Sequence, residues 1–387
     1  MSSRIKPAKI MLVSASIGAG HTQAAQAVKA AIENQGLATA EVVDFMAGEN
    51  SYLNTLVKET YLKMIDIFPD MYDLLYRWSQ MPRPGSKVQG LMAIAMKRSM
   101  LRLINAYRPD AIICTHPFPC GAAAYLKRTR RINLPLAGVI TDFAVHRLWC
   151  YNETDLYFVA TPELKQELAA QGIASARIHA TGIPVGPKFI LQPDVAAQTA
   201  FRASLGFTNS YPIVLIMGGG LGLGDLEQAV LAIDTLCLPL NLVVVTGRNA
   251  TLRRSLLAKA KSLTHHIKVL GYTQHVPELM AAADLLITKP GALTISEALS
   301  RHLPIILCQA IPGQEEENAA YLTRKGAALR ADSNHSLASL VYELLTHSER
   351  LNYMREMAAM LGRPTAAPTI ATTVWQELFN AEAAAGR

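Results

Sequence analysis

The chain lacks the local signatures of a disulfide scaffold or a zinc module. Its five cysteines, Cys114, Cys120, Cys150, Cys237 and Cys308, are odd in number and form no CxxC pair, so they read as reduced thiols. No run of about 18 apolar residues occurs, and no spanning helix is expected. The apolar run Ile10–Val13, preceded by Arg4, Lys6 and Lys9, is too short for the core of a secretory signal, and no small-residue cleavage site follows it. A soluble or peripheral protein on the cytoplasmic side is expected. No GK[ST] follows either glycine-rich turn, which excludes a Walker A loop. No DxD triplet occurs where paired aspartates could hold a divalent ion, and Asp70 and Asp73 are too separated to serve. Only Asp44 ends the second strand with an acid, a poor match to a nicotinamide dinucleotide fingerprint.

What is present is ample apolar material and unevenly placed charge. Half of the 387 residues are hydrophobic, enough to bury two cores of roughly 150–200 residues each. The formal net charge is +7, and between Ser51 and Pro109 nine Lys/Arg stand against four Asp/Glu. Such a region attracts nucleic acid or anionic lipid.

From Lys9 onward, short apolar runs alternate with amphipathic segments. Strands are predicted at Lys9–Ser14, Glu41–Phe45, Ala111–Cys114, Leu136–Thr141, Asp155–Ala160 and Arg177–Thr181, with a helix at His21–Asn34. The pattern pauses between Gly186 and Tyr211, where only Gln198–Leu205 reads as a helix. It resumes at Ile213–Met217, Leu242–Thr246, Ile267–Leu270, Leu285–Thr288 and Pro304–Leu307. This spacing builds βαβ units and parallel sheets. The expected division is an N-terminal Rossmann-like domain at 1–190, a linker at 191–211 and a second Rossmann-like domain at 212–370. A last helix near 371–383 is expected to cross back to the first domain. Two doubly wound α/β sheets joined in this way are the GT-B architecture, with the reactive cleft expected between the halves at the carboxyl ends of the strands.

Two glycine-rich turns follow strands. One is Ser14–His21, with Gly18 and Gly20; the other is Met217–Gly224, with Gly218, Gly219 and Gly220. Glycine admits positive φ and close backbone approach, and a helix N-terminus beyond it favours an anion. Tight turns in any α/β protein also use glycine, but one such loop in each half points to ligands. The most specific stretch is Ile287–Ala298. Here a strand ends, Pro290-Gly291 turns, and a helix is expected to begin near Thr294, whose hydroxyl and first-turn amides suit a diphosphate. Glu297 then lies one turn in, placed to accept both hydroxyls of a ribose, or alternatively to pair with Thr294 as a capping box. After the strand at Ile305–Leu307, Gln314, Glu315 and Asn318 can read sugar hydroxyls, while Glu316 and Glu317 suit a solvated helix start.

Nine stretches in order, GAGH, THP, VITD, ATGIPV, MGGGLGLG, TGRN, GY, ITKPGALTISEAL and PGQEEEN, make residues from about 8 to 326 similar to one family. The chain resembles the bacterial diacylglycerol glucosyltransferases and plant monogalactosyldiacylglycerol synthases. More distantly it resembles the glycosyltransferase that forms lipid II. The resemblance implies an inverting transfer of a hexose from UDP-glucose or UDP-galactose to diacylglycerol or a glycosyldiacylglycerol. It assigns the ribose to Glu297 and the diphosphate to Gly291, Ala292, Leu293 and Thr294 with Gly218–Gly220. The sugar goes to Gln314, Glu315 and Asn318, and the uracil to Tyr272 and its neighbours, with Arg248 in the donor set. Two departures stand out: Ala19 replaces a glycine of the first loop, and Leu221 and Leu223 occupy the second. Neither removes a chemical group.

Inversion requires one base beside the acceptor, with no cofactor and no metal expected. His21 is the candidate, because a helix N-terminus disfavours its protonated form and keeps the ring able to accept a proton; an N-terminal hydrogen-bonding role is the plainer alternative. Asp142 is the second candidate, as base or orienting carboxylate. His116 is expected to shape its turn, and His146 has no assigned role.

The basic segment also holds Trp78, six methionines and five tyrosines. In Leu91–Ile104, Lys97, Arg98 and Arg102 flank an apolar stripe with Leu91, Met92 and Ile94. That pattern reads as a surface for anionic membrane lipids, or as an ordinary core helix with solvated basic residues. Nucleic acid is not expected, since no binding motif accompanies the charge. Two other readings of the same architecture are a UDP-N-acetylglucosamine 2-epimerase and a non-catalytic UDP-sugar-sensing regulator.

Overall fold

The computed structural model describes residues 7–15, 19–46, 82–190, 194–218 and 225–380. The chain divides into two compact units. Unit 1 comprises Met1–Pro187, Pro312–Gln314 and Pro364–Arg387, and unit 2 comprises Lys188–Ile311 and Glu315–Arg363.

Unit 1 is built in chain order from β1 (Lys9–Ser14), α1 (Gly20–Asn34), β2 (Thr39–Asp44), α2 (Pro82–Tyr107), β3 (Ala111–Cys114), α3 (Pro117–Arg128), β4 (Leu136–Val139), β5 (Leu156–Val159), α4 (Pro162–Ala170) and β6 (Ile178–Ala180). Its six strands are ordered β2-β1-β3-β4-β5-β6, all parallel. β3, β4 and β5 are buried at every position, as a sheet covered on both faces requires. That is why they read in the sequence as short unbroken apolar runs.

Unit 2 holds α5 (Val195–Ser204), β7 (Ile213–Met217), α6 (Leu226–Asp234), β8 (Asn241–Val245), α7 (Ala250–Lys259), β9 (His266–Leu270), α8 (Val276–Ala282) and β10 (Leu285–Thr288). α9 (Ala292–Ser300), β11 (Ile305–Leu307), α10 (Gln314–Arg324), β12 (Ala328–Arg330), α11 (Asn334–Thr346) and α12 (Ser348–Leu361) follow. The sheet order is β12-β11-β10-β7-β8-β9. The three-residue β12, with Arg330 at its end, is not among the strands expected from the sequence. α5 is N-capped by Asp194 and belongs to unit 2, where Arg202 pairs with Asp284 at 2.9 Å. The segment read from sequence as a linker is therefore mostly part of the second unit.

After unit 2 the chain returns to unit 1 as α13 (Ala366–Val374), continued by a π-helical turn at Trp375–Asn380. Ile370, Ala371, Val374 and Leu378 enter the same apolar cluster as Val28, Ile32 and the sheet residue Leu12. Gln35 Nε2 donates to the Pro368 carbonyl at 3.1 Å, fixing the register of this return.

In each sheet the chain reverses its direction of growth once, between β1 and β3 and between β7 and β10. Loops leaving such neighbouring strands diverge and open a crevice at the carboxyl edge. The His21 and Thr115 loops leave β1 and β3, while the Gly218 and Gly291 loops leave β7 and β10.

Candidate active site

In unit 1 the centre is His21, the second residue of α1. The Ala19 N-cap makes no side-chain hydrogen bond, so the first-turn amides keep their donors. His21 Nδ1 lies 2.9 Å from the Thr115 carbonyl and 2.7 Å from Thr141 Oγ1. A carbonyl can only accept, so Nδ1 carries the proton and Nε2 presents a lone pair. Thr115 Oγ1 returns a bond to the His21 carbonyl at 2.9 Å, which locks the residue from both ends. Burial lowers the His21 pKa to about 4, partly offset by the Thr115 bond.

The neighbouring side chains are held as firmly. His116 stands edge-on to His21, with ring centroids 4.7 Å apart. Its Nδ1 accepts from the Phe118 amide at 3.2 Å as the N-cap of α3, which is the turn-shaping task the sequence suggested. His146 is buried, and its Nδ1 accepts from Leu148 N at 3.1 Å, capping a short 3-10 turn. Asp142 is half-buried and directly follows the Thr141 that touches His21. Gly20 opens α1, whereas Gly18 lies outside the described residues.

In unit 2 the register aligns five strand ends. Thr288 pairs with Leu307 and with Met217, Met217 with Val245, and Val245 with Leu270. The residues expected to hold the donor leave these strands along one edge: Glu315 after β11, Gly291 to Glu297 after β10, Gly218 after β7, Arg248 after β8 and Tyr272 after β9. With strands about 4.8 Å apart, that edge runs about 19 Å, long enough for a nucleotide sugar laid across it. Gly219 and Gly220 lie outside the described residues.

The helix after β10 begins earlier than predicted. α9 starts at Ala292 with Gly291 as its N-cap and no side-chain cap, so Thr294 is already its third residue. The Thr294–Glu297 capping box is thereby excluded. The amides of Ala292, Leu293 and Thr294 are left for an anion. Gly291 has φ −70°, so it is not there for a left-handed turn; a Cβ added to it would meet no atom within 4 Å. The space in front of the turn is open. Glu297 is half-buried, has no hydrogen-bond or ionic partner among the described residues, and is raised by burial to about 8.

The residues expected to read the sugar divide into different roles. Asn318 is 1% exposed, and its Nδ2 donates to the Pro290 carbonyl at 3.1 Å. It braces the turn after β10, and burial withholds it from a sugar. Glu315 pairs with Lys289 and accepts from the Ile311 amide at 3.1 Å; Lys289, not singled out from sequence, joins it to the turn after β10. Gln314, at the first position of α10, is half-buried and carries no such bond. Arg248 places its guanidinium over the Tyr272 ring, 5.3 Å from the centroid, and Tyr272 is 56% exposed.

Among the described side chains of α2, Leu91, Ile94, Ala95, Arg98, Arg102, Asn105 and Ala106 are exposed, and Leu91, Ile94, Arg98, Arg102 and Asn105 fall at helical spacing. Leu91 and Ile94 are 68% and 41% exposed. Lys97 departs from the predicted trio, because its ammonium lies over the Tyr125 ring at 5.3 Å. Trp78 lies outside the described residues. Among those residues, no helix is long and apolar enough to cross a membrane.

Comparison with known proteins agrees in both units. Residues 21–185 match the family described as Monogalactosyldiacylglycerol (MGDG) synthase, and residues 213–370 match the Glycosyltransferase family 28 C-terminal domain. The processive diacylglycerol beta-glucosyltransferase of Bacillus thuringiensis (strain Al Hakam) is 32% identical over 377 residues, covering 96% of this chain and 95% of that relative. The enzyme of the same name from Bacillus cereus (strain AH187) is 32% identical over 375 residues, covering 96% and 95%. Among solved structures, Acinetobacter baumannii MurG superposes with TM-score 0.62 at 18% identity, over 96% of this chain and 100% of that one. The S. aureus MnaA-UDP structure gives 0.63 at 16%, over 96% and 98%. These structural likenesses establish the GT-B fold.

Proposed function

Because the chain belongs to the glycosyltransferase family that includes the processive diacylglycerol beta-glucosyltransferases, we propose that it transfers glucose, with inversion, from UDP-glucose to diacylglycerol and then to glucosyldiacylglycerol. The choice of glucose over galactose, and of repeated transfer, follows the names of the relatives. Binding to the inner face of the cell membrane is part of the same reading, with the exposed α2 stripe as the docking face.

Glu297 is the observation that carries the donor assignment. A half-buried carboxyl with no hydrogen-bond or ionic partner among the described residues, raised to about 8, is disfavoured as an anion until donors reach it. The two hydroxyls of a ribose are such donors. They would bring the diphosphate against the open amides of Ala292, Leu293 and Thr294, and the base toward Tyr272.

The acceptor step uses His21. Nε2 takes the proton from the acceptor hydroxyl as its oxygen bonds the anomeric carbon from the face opposite the leaving group. The bond from that carbon to the UDP oxygen breaks, and the electron pair leaves with the diphosphate. Charge developing there is met by amides already in place, which avoids reorganisation during the reaction. No metal is needed in this scheme.

Mass spectrometry of lipids from a host expressing the chain tests the whole reading. Mono- and diglucosyldiacylglycerol are expected, and both should vanish with Glu297→Ala. No new glycolipid under full expression, or a hexose other than glucose, would overturn the assignment.

A further inference from the structure

Among the described residues, four that are not glycine adopt left-handed backbone: Arg108, Arg130, His302 and Gln309. The first three follow helices, and their amides close onto the Ile104, Lys127 and Leu299 carbonyls of α2, α3 and α9. That is how many helices end. Gln309 has no helix to end. It lies two residues beyond the last residue of β11, with φ +52°. It is exposed, so packing does not impose this conformation. Strain that the core does not demand points to a task.

The side chain of Gln309 shows what the task is. Its Oε1 accepts from the Asp225 amide at 2.8 Å. Asp225 is the N-cap of α6, where the chain re-enters a helix after β7, and its carboxylate accepts from the Gln228 amide at 3.3 Å. This bond passes over a strand. The sheet order is β11-β10-β7, and Leu307, Thr288 and Met217 end the three strands in register. β11 and β7 therefore lie about 10 Å apart, with the turn after β10 between them. The chain that follows β11 also holds that turn, Glu315 through Lys289 and Asn318 through the Pro290 carbonyl. One segment thus ties together the two turns expected to face the diphosphate.

We propose that Gln309 is a positioning residue for the donor diphosphate, holding the entry of α6 at a fixed spacing from the open amides of Ala292, Leu293 and Thr294. It touches no reacting atom. Its effect is to set the phosphate-binding turns before the ligand arrives, so that less ordering remains to be done on binding. This inference rests on the donor reading proposed above.

The test is calorimetric titration of the whole protein with UDP, beside titration with uridine followed by NMR. Gln309→Gly relieves the backbone and removes the side chain, whereas Gln309→Asn tolerates the left-handed turn but is one methylene short of Asp225. Both are expected to bind UDP about tenfold more weakly, as loosening one bond to a charged group would do, with uridine affinity unchanged. Gln309→Gly should melt at or above the parent temperature, because the ligand rather than the fold needs this side chain. Parental UDP affinity in both variants would overturn the proposal. An equal loss for uridine and UDP would overturn it too, by showing a general defect of the unit. A parent that binds no UDP would overturn this role and the proposed function together. UDP binding that depends on Gln309, in a chain that glycosylates nothing, would sink the proposed function and leave this role standing.

Discussion

The hydroxyl of Thr141 sits 2.7 Å from His21 Nδ1 and shares the proton that the Thr115 carbonyl faces from 2.9 Å. Two acceptors on one ring nitrogen fix the tautomer. Thr141→Val keeps the volume and removes one of them, so kcat should fall about tenfold with the KM for UDP-glucose unchanged. His21→Ala should cost about a hundredfold or more, the usual range for a general base. Steady-state transfer assays measure both. Parental turnover in His21→Ala would move the base to Asp142.

Acidification should separate activity from the ordinary histidine range. Burial lowers His21 and His146 to about 4, and His116 well below 6.5. The Nε2 lone pair of His21 therefore survives until the pH falls through about 4. Stability moves sooner. Between 6.5 and about 4 the unfolded chain binds protons that the folded chain refuses, so stability is full above 6.5 and is lost as pH falls through that window. Melting scans should show Tm dropping from pH 7 to 5, while kcat at saturating UDP-glucose, measured on the protein still folded, stays flat.

Glu297 has the opposite sign. Its carboxyl is raised from 4.5 to about 8, so across that interval the unfolded chain sheds a proton that the folded chain keeps. Its contribution is intact below 4.5 and is lost as pH rises through about 8. Glu297→Gln should then melt above the parent at pH 8 and level with it near pH 4.5. The same variant loses bonds to a charged acceptor worth about 1.5–3 kcal/mol, roughly ten- to a hundredfold in UDP affinity by calorimetry. Parent affinity for UDP should also strengthen from pH 7 to 9, and that of Glu297→Gln should not.

Turnover is expected to continue in excess EDTA, since in the proposed scheme amides at the head of α9 would meet the leaving diphosphate. Activity abolished by chelation and restored by magnesium or manganese would refute this.

Vesicle binding should discriminate between neighbouring basic residues. Arg98 and Arg102 are exposed beside Leu91 and Ile94, and each contributes about 1 kcal/mol at an anionic leaflet. Replacing both with Gln should weaken flotation with anionic vesicles roughly thirtyfold at low salt, and less as salt screens the charges. Lys97→Gln should change it little, because that ammonium lies over Tyr125. Identical flotation of parent and double variant would place the docking face elsewhere.

The sequence was most legible where one physical demand dominates. Strands covered on both faces must be apolar throughout, so Ala111–Cys114, Ile213–Met217 and Leu285–Thr288 are read to the residue. Glu297 was legible as a polar exception one turn after a strand–turn–helix junction. What stayed hidden depends on long-range neighbours. Asn318 and Glu315 look like surface polar residues of a helix start, and only the fold brings Pro290 and Lys289 to them. Thr115 and Thr141 were quoted within motifs, yet their joint hold on His21 spans 94 and 120 positions. The capping box failed because α9 starts at Ala292, two residues before the expected start at Thr294.

Unit 2 is nearly continuous in the chain, whereas unit 1 completes its apolar cluster with Ile370, Ala371 and Val374. During synthesis the second unit can therefore fold as soon as it emerges, while the first waits with the inner side of α1 uncovered. A nonsense mutation just after Arg363 would thus injure the distant first unit and leave the second unit able to fold. Truncated products of that kind should retain UDP yet be prone to aggregate through residues near the other end of the chain.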